Sequence, residues 1–285
     1  MVGVNWRDDL RKQGYAFFHN LIPKPLVIDA CEAIKCDLAD NYNPRRKMEY
    51  DNQSYCPTLR GTPVITALLR ESPISGVLDD LLGWDNIRHD GGQIAIRKAH
   101  NHAQAIAPVP HIDGVPTGLN GLCGDEIRNF TALVGIFLTK TPRTFAGNFT
   151  VWPGSHHVYE RYFRERGRQC MRELPPNLDL GQPVQLMADM GDVVLCHYQL
   201  GHSAAVNTSN VDRWAVYFRI AFHDIRDRRW QLLTNIWEGW RLDQSQSVAS
   251  DVSCPAKPWN RIFARLAVGV TSIRRKLNRA DRMDD

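Results

Sequence analysis

The spacing of hydrophobic and polar positions changes near residue 91. Before that point, apolar residues recur mostly at helical intervals, and Pro23 and Pro25 stand where a helix would begin. The pattern predicts a helix from Arg7, a strand over residues 15–18, a helix running to Asn41, a polar loop over residues 45–62 and a helix over residues 63–82. The N-terminal third of the chain is therefore expected to be mostly helical.

After Gly91 the pattern consists of short β-type runs separated by turn residues such as Pro153-Gly154 and Gly191-Asp192. These runs cover residues 93–97, 130–139, 147–152, 184–188, 193–197 and 214–222. Helices followed by strands predict a mainly β fold with α-helical additions, in which a jelly-roll core is flanked by N-terminal helices. We expect one domain with a helical part (1–90), a core (91–223) and a C-terminal extension (224–285).

Composition excludes several classes of protein. The chain has 285 residues, 43% of them hydrophobic, and 35 basic against 31 acidic side chains give a net charge of only +4. This balance does not suggest a nucleic-acid-binding protein, so we expect a small-molecule substrate as the partner. Seven cysteines without a CxxC pair favour a reducing compartment, and no apolar run approaches bilayer length. We expect a cytoplasmic protein without an integral membrane segment, and the sequence predicts no oligomeric state.

The C-terminal extension carries an unusual concentration of basic residues. Between Arg261 and Arg282, seven basic side chains surround an apolar stripe. One hypothesis is an amphipathic helix that binds an acidic membrane surface or a phosphate group of coenzyme A. The alternative is a solvated helix that packs through its apolar residues.

Candidate chemistry begins with the segment His111-Ile112-Asp113. On a strand, residues two apart point to the same side, so His111 and Asp113 can both face one metal ion. A third ligand from another strand would complete the set, and His202 is suitably placed. Two imidazoles and one carboxylate suit Fe(II), although zinc, cobalt, nickel or manganese would also bind such a site.

Arg213 follows the second histidine closely. Its guanidinium can hold a carboxylate through two hydrogen bonds, which would anchor a dicarboxylate co-substrate such as 2-oxoglutarate. A metal with three protein ligands keeps open positions for that co-substrate and for O₂. Taken alone, the three-residue motif at His111 equally allows an ordinary surface pair beside Pro110 and Gly114.

Three further motifs carry a resemblance to a known family. The segment 147–156, GNFTVWPGSH, resembles the strand-and-turn signature of the phytanoyl-CoA dioxygenase family. The segment 190–197, MGDVVLCH, followed by Gly201-His202-Ser203 and Arg213, is similar to the family's second signature. Gly14-Tyr15 with Leu21-Ile22-Pro23 resembles its N-terminal segment, so the similarity covers residues 7–223.

The resemblance implies an Fe(II)- and 2-oxoglutarate-dependent dioxygenase on a double-stranded β-helix of the cupin-like type. Its product chemistry would be hydroxylation of a lipid-derived compound or a secondary metabolite, with release of succinate and CO₂. Carried over to this sequence, His111, Asp113 and His202 hold the iron, and Arg213 holds the distal carboxylate of 2-oxoglutarate. Ser155 and His156 then have a structural role in the turn after Trp152.

Two positions qualify the resemblance. Many relatives have a hydroxyl residue two positions after the distal histidine, where this chain has Ala204, so the grip on 2-oxoglutarate is expected to differ. In related halogenases a small residue replaces the carboxylate ligand and leaves room for chloride. Asp113 therefore argues against halogenation.

Other cavity residues are predicted from strand parity. Gln93 and Thr131 are candidates for co-substrate contacts, or else ordinary half-buried polar residues. Trp152 and Tyr217 are candidate substrate-binding walls, although aromatic residues on strands more often fill a core. Arg219 shares the parity of Arg213 and is a candidate for binding an acidic group of the substrate.

Three alternatives remain open at the level of sequence. The glycine-rich segment 114–124 is either a mobile loop that closes over substrate or a plain surface connection. The chain could be a metal-binding jelly-roll enzyme that does not use 2-oxoglutarate. It could also be a binding protein of the same fold without catalytic turnover.

Overall fold

The described part of the protein consists of helices and two antiparallel sheets. A computed structural model of the chain describes residues 6–173, 175 and 178–243. The α-helices are α1 (Trp6–Gln13), α2 (Lys24–Asn41), α3 (Lys47–Asn52), α4 (Pro63–Arg70), α5 (Ile74–Leu82), α6 (Ser155–Arg166) and α7 (Arg229–Thr234). Short 3₁₀ helices cover Pro44–Arg46, Pro57–Leu59, Trp84–Asn86 and Arg168–Arg172. Residues up to Leu242 form one compact unit.

Within the described residues, eight strands build two antiparallel sheets. They are β1 (Tyr15–Phe18), β2 (Ile87–Arg97), β3 (Ala132–Phe137), β4 (Phe149–Val151), β5 (Val184–Gln185), β6 (Val193–His197), β7 (His202–Ala204) and β8 (Arg213–Phe222). The larger sheet has the order β1-β6-β3-β8-β2, and the smaller one has the order β5-β4-β7. An isolated antiparallel bridge between His111 and His202 adds the segment around His111 to the free edge of β7.

The central position of β3 follows from its sequence. Its six residues, ALVGIF, are all buried, because neighbouring strands flank it on both edges and packed layers cover both faces. Strand β2, at the edge of the sheet, has alternating burial instead: Ile94 and Ile96 face the core while Gln93 and Ala95 are half-buried. This alternation turns the odd-numbered side chains of β2 towards one face of the sheet.

Local signals in the sequence set several helix boundaries. Pro25 lies in the first turn of α2, where a missing backbone N–H costs nothing. Gly83, with φ of +75°, ends α5 in a conformation that favours glycine. Pro73 precedes α5 and separates it from α4, so the predicted single helix over residues 63–82 is two helices.

Most of the predicted elements are present, and further differences concern one loop and two strands. The predicted loop over residues 45–62 contains α3, strand β7 was not predicted, and the run at residues 184–188 gives only a two-residue strand. Helices occupy more of the described residues than strands do, so the helical additions exceed those expected for a mainly β chain. The antiparallel sheets and the N-terminal helices agree with the predicted fold class.

Some sequence predictions concern other parts of the chain. The basic segment between Arg261 and Arg282, and Cys254, lie outside the described residues. The six described cysteines are free thiols. Among residues 6–243, apart from the gaps given above, no helix is both long enough and apolar enough to span a bilayer.

Candidate metal centre and cavity

A cavity of about 900 Å³ is lined by residues from both sheets. The larger sheet contributes residues of β2, β3 and β8, and the smaller sheet contributes residues of β4 and β7. The segment 109–115 and the loop that follows it form a further wall. The cavity brings together seven residues predicted from the sequence, which are Gln93, His111, Asp113, His202, Arg213, Tyr217 and Arg219.

His111, Asp113 and His202 form one cluster in this cavity. One potential ligand atom from each lies within 4.8 Å of the others, and no other such group of three occurs in the described part of the chain. Asp113 Oδ1 is 3.7 Å from the Nε2 atoms of both His111 and His202. The backbone bridge explains the proximity of the two imidazoles, because each residue's N–H donates to the other's carbonyl at 3.0 Å.

Hydrogen bonds fix two of these residues. The Nδ1 atom of His202 lies 2.9 Å from the carbonyl oxygen of Leu200, so Nδ1 carries the proton and Nε2 keeps its lone pair. The hydroxyl of Tyr198 donates to the backbone carbonyl of Asp113 at 3.0 Å. The Phe149 ring stacks against the His202 ring with centroids 5.4 Å apart. The distal imidazole is thus held in position and in tautomer before any ligand binds.

Arg219 donates hydrogen bonds to the second oxygen of the Asp113 carboxylate. Its Nε and Nη2 atoms donate to Asp113 Oδ2 at 3.0 and 2.7 Å, and Nη1 donates to Gln93 Oε1 at 2.8 Å. Burial raises the pKa of the Asp113 carboxyl, but Arg219 and the two imidazoles lower it more, and the net pKa lies well below its usual range. Asp113 is therefore a carboxylate with Oδ1 directed at the two imidazoles.

Arg213 is buried at the cavity wall, with 2% of its surface exposed. Its Nε donates to the carbonyl of Gly147 at 2.7 Å, and Nη1 donates to the Ala95 carbonyl and the Tyr217 hydroxyl at 3.3 and 3.4 Å. Burial lowers the pKa of its guanidinium, although an arginine keeps its charge at neutral pH. The described structure places no carboxylate against it, so it is a fixed cation without an ion-pair partner.

Three cavity arginines, Arg60, Arg97 and Arg128, were not predicted from the sequence. Arg97 is the cross-strand partner of Arg213 in the pairing of β2 with β8, so both side chains lie on the cavity face. Strand parity could have identified it, because Arg97 is four residues from Gln93 on the same strand. Arg60 follows a 3₁₀ helix in the region predicted as a loop, and no sequence signal indicated its place.

Two predicted site residues lie elsewhere. Thr131 is buried just before β3, where its hydroxyl accepts a hydrogen bond from the Phe222 N–H at 3.1 Å. Trp152 is 5% exposed and packs in the hydrophobic core. Neither residue lines the cavity. Strand parity misplaced Thr131 because it precedes β3 and its hydroxyl is used by the neighbouring strand.

Ser155 and His156 make structural contacts at the start of α6. The Ser155 hydroxyl accepts a hydrogen bond from the Gly201 N–H at 2.8 Å, next to His202. The fully buried His156 places Nε2 3.1 Å from the Arg11 carbonyl. These contacts tie the turn after Trp152 to the chain on either side of the cluster.

The glycine-rich segment contributes part of the cavity wall. Val115, Thr117, Asn120 and Leu122 line it, and Asn120 Nδ2 donates to the Val115 carbonyl at 2.7 Å. The carbonyl of Gly114 accepts from the Arg128 N–H at 2.8 Å, which joins the two ends of the loop. The loop thus forms part of the wall of the cavity that contains His111, Asp113 and His202.

The cluster fits a metal ion of the predicted kind. It offers two imidazole nitrogens and one carboxylate oxygen and contains no thiolate, which is the donor set of non-haem Fe(II) sites with open positions. Asp113 Oδ2 and His202 Nδ1 are already hydrogen-bonded, so the remaining donors, Oδ1 and Nε2, are those directed at the common point. Outer contacts of this type orient ligands in metal sites.

Comparisons with known proteins find similar folds among solved structures. No protein-family model matches the chain, and no curated protein matches it. Among solved structures, the non-haem monooxygenase ThoJ in its apo form has a TM-score of 0.53 at 16% identity, covering 76% of this chain and 77% of that one. The alpha ketoglutarate dependent epimerase SnoN from nogalamycin biosynthesis has a TM-score of 0.52 at 16% identity, covering 76% and 79%.

These neighbours are non-haem enzymes, and the likeness to them is one of fold. SnoN has also been solved in complex with Fe³⁺, alpha ketoglutarate and nogalamycin RO, and this structure covers 76% of the present chain with a TM-score of 0.52. The resemblance to the phytanoyl-CoA dioxygenase family stays a prediction, because no family model supports it. The fold likeness nevertheless agrees with the antiparallel sheets and helices predicted from the sequence.

Proposed function

We propose that the chain is an Fe(II)- and 2-oxoglutarate-dependent dioxygenase with a jelly-roll core. In this proposal it hydroxylates a small organic substrate, lipid-derived or a secondary metabolite, and releases succinate and CO₂. The observation that carries the proposal is the meeting of the His111, Asp113 and His202 donors in one cavity with the buried cation of Arg213. We further propose that the protein acts in the cytoplasm.

His111 Nε2, Asp113 Oδ1 and His202 Nε2 would hold the metal. Iron bound by two imidazoles and a carboxylate supplies the redox chemistry that couples O₂ and 2-oxoglutarate to oxidation of a substrate C–H bond. The carboxylate of Asp113 balances part of the metal charge, and Arg219 keeps its other oxygen engaged. Retention of Asp113 is the reason to propose hydroxylation rather than halogenation.

Arg213 would bind the distal carboxylate of 2-oxoglutarate. Its Nε and Nη1 atoms are held by protein oxygens, which leaves Nη2 for an anion in the cavity. A charge-assisted hydrogen bond of this type contributes about 1.5–3 kcal/mol. Arg97, opposite Arg213 across the strand pair, adds a second positive charge to the cavity, which also contains Ala204.

The known structures support the cofactor assignment on chemical grounds. SnoN binds Fe³⁺ and alpha ketoglutarate, and ThoJ has been solved with nickel, a metal that also occupies sites with two imidazoles and a carboxylate. Because SnoN is an epimerase and ThoJ a monooxygenase, the same fold serves more than one oxidation outcome. Product analysis must therefore accompany any test of activity.

The direct test is anaerobic addition of Fe(II) and 2-oxoglutarate to the full chain. We expect a weak visible charge-transfer band, and succinate formation when air is admitted even without substrate. His111→Ala should lose both signals. Screening a metabolite library for accelerated succinate formation, followed by mass spectrometry with ¹⁸O₂, would identify the substrate and show whether oxygen is inserted.

The same experiment separates the two alternatives. Metal binding without a 2-oxoglutarate band, with turnover unaffected by Arg213→Ala, would indicate a jelly-roll enzyme that does not use this co-substrate. Absence of both metal binding and succinate formation would indicate a binding protein without catalysis.

A further inference from the structure

The cavity contains more positive than negative side chains. Its lining includes five arginines and three aspartates, which are Arg60, Arg97, Arg128, Arg213, Arg219, Asp51, Asp90 and Asp113. Each aspartate already accepts from a basic residue: Asp51 from Lys47, Asp90 from Arg88 and Asp113 from Arg219. The remaining arginines leave an excess of positive charge, which favours anionic ligands.

The backbone of Arg60 is held against strand β2. Its carbonyl accepts a hydrogen bond from the Gly92 N–H at 2.9 Å, where the pairing of β2 with β8 shifts register between His89 and Gly92. A Cβ on Gly91 would lie 2.5 Å from the same carbonyl oxygen, so only glycine allows this approach. Bulges of this kind direct side chains into sites, and here the irregularity seats Arg60 at the cavity.

The Arg60 side chain lacks the partners that a guanidinium normally has. Its Nε is inaccessible to solvent and makes no hydrogen bond. Burial and the positive charge of Arg219 lower the pKa of the Arg60 guanidinium, while Asp90 opposes this only in part. An oxyanion at the cavity-facing end of the guanidinium would supply the partner that this side chain lacks.

Arg219, the arginine predicted from the sequence to bind an acidic group, is already occupied. Three of its nitrogens donate to Asp113 and Gln93, so its fork serves a protein carboxylate. Arg97 stands opposite Arg213, at the position assigned above to the co-substrate. Among the cavity arginines, Arg60 thus has a fixed backbone and a buried donor without a partner. Its backbone is bonded to Gly92 of β2, whereas Arg213 pairs with Arg97 at the far end of that strand.

We propose that Arg60 binds an oxyanion, a carboxylate or a phosphate, on the substrate. The assignment rests on the proposed function, since the oxygenase site is what makes the bound molecule a substrate. Beside the basic groups, the cavity offers apolar surface from Phe130, Leu133 and Val115. The substrate class is therefore an apolar body that carries one anionic group, oriented with that group at Arg60 and its body across the metal ligands.

The test measures binding of simple probes to the metal-free full chain, so that no metal can coordinate the anion. Isothermal titration calorimetry with octanoate, octyl phosphate, octanol and octylamine compares one apolar body with four head groups. We expect either anion to bind at least about tenfold more tightly than octanol, and octylamine to bind weakest. The relative affinity of octanoate and octyl phosphate tells which oxyanion the site prefers.

Variants then locate the binding. Arg60→Gln should weaken the better anion at least about tenfold, and Arg60→Lys should weaken it less. Arg128→Gln, which removes an exposed charge from the same cavity, should change binding less than about threefold. Circular dichroism confirms that each variant is folded.

Three results would overturn the assignment: equal affinity for octanol and the anions, no binding of either anion, or loss of binding in Arg97→Gln instead of Arg60→Gln. The 2-oxoglutarate band, recorded separately with Fe(II), reports on the proposed function. A normal band without anion binding rejects Arg60 alone, whereas a missing band rejects the oxygenase proposal whatever octanoate does.

Discussion

Arg219 donates to Asp113 through two nitrogens, at 3.0 and 2.7 Å, and both hydrogen bonds end on Oδ2. The other oxygen, Oδ1, is left facing His111 and His202 at 3.7 Å. This contact joins the large sheet, which carries Arg219 on β8, to the segment that carries the predicted metal ligands. The orientation of the carboxylate is therefore set by a residue of the opposite sheet.

Replacing Arg219 should weaken metal binding. In Arg219→Gln the carboxylate of Asp113 loses its main positive neighbour and is free to rotate, so we expect metal affinity to fall by about 10–100-fold. Titration of the metal-free chain with Co(II), followed by visible absorption, measures this. The metal affinity of Arg219→Lys should lie between those of the parent chain and Arg219→Gln, because one ammonium group cannot replace the planar guanidinium. Unchanged affinity in Arg219→Gln would show that Asp113 is oriented by other contacts.

Replacing Arg213 should weaken co-substrate binding selectively. We expect Arg213→Gln to raise the apparent Kd for 2-oxoglutarate by about 10–100-fold, since a charge-assisted hydrogen bond contributes about 1.5–3 kcal/mol. Arg97→Gln should raise it less, by about two- to tenfold, because that side chain is exposed. The anaerobic 2-oxoglutarate titration measures both values.

Ionic strength provides a control for this prediction. Salt screens exposed charges more strongly than buried ones, so the effect of Arg97→Gln should diminish at 0.5 M NaCl while that of Arg213→Gln persists. Equal effects of the two substitutions at all salt concentrations would contradict the assignment of Arg213 as the principal anchor.

The sequence predicted those parts of the site that depend on strand parity and motif order. His111 and Asp113 share one cavity because alternate residues of an extended segment face the same side, and the order of the motifs indicated His202 as the third member. Parity also placed Gln93 and Tyr217 at the cavity. The same periodicity predicted most strands of the larger sheet, including both ends of β6 at Val193 and His197.

Long-range contacts could not be predicted in the same way. Strand parity predicted that Arg219 faces the interior, and its expected partner was an anionic group of the substrate. Its partner in the structure is Asp113, which is 106 residues away and could not be identified by periodicity. Arg60 reaches the cavity through a register shift in β2, which periodicity does not reveal. Thr131 looked like a cavity residue, yet its hydroxyl is used by the Phe222 N–H.

Two buried histidines should make the fold sensitive to acid. Burial lowers the pKa of His156 to about 2 and that of His197 to about 3. In His197, Nε2 donates to the Ile236 carbonyl and Nδ1 accepts from the Gln199 N–H, so a second ring proton has no acceptor. The unfolded chain takes up protons below about pH 6.5 while these folded-state imidazoles stay neutral, so stability falls as pH falls.

We expect the two histidines to lower the free energy of unfolding by at most about 2.7 kcal/mol per pH unit between pH 5.5 and 4. Urea unfolding at several pH values measures this slope. His197→Gln, whose amide can both donate and accept, should flatten it, whereas His102→Gln, at an exposed histidine, should not. Equal slopes in the parent chain and His197→Gln would reject the explanation.

Gly147 should be required for the position of Arg213. Its φ is +75°, its carbonyl accepts from Arg213 Nε at 2.7 Å, and an added Cβ would lie 3.0 and 3.1 Å from the Cβ atoms of Arg97 and Arg213. Those Cβ atoms belong to paired strands and have little freedom to shift. We expect Gly147→Ala to cost about 1–2 kcal/mol in backbone strain and to weaken 2-oxoglutarate binding by displacing both arginines.

Gly181→Ala is the matched control for this substitution. Gly181 has a similar φ of +77°, but an added Cβ there meets nothing within 4 Å. It should therefore carry comparable backbone strain without any change in the affinity for 2-oxoglutarate. Chemical unfolding measures the strain in both variants, and the anaerobic titration measures the affinity. If both variants bind 2-oxoglutarate like the parent chain, the contact between Gly147 and the two arginines does not position the co-substrate anchor.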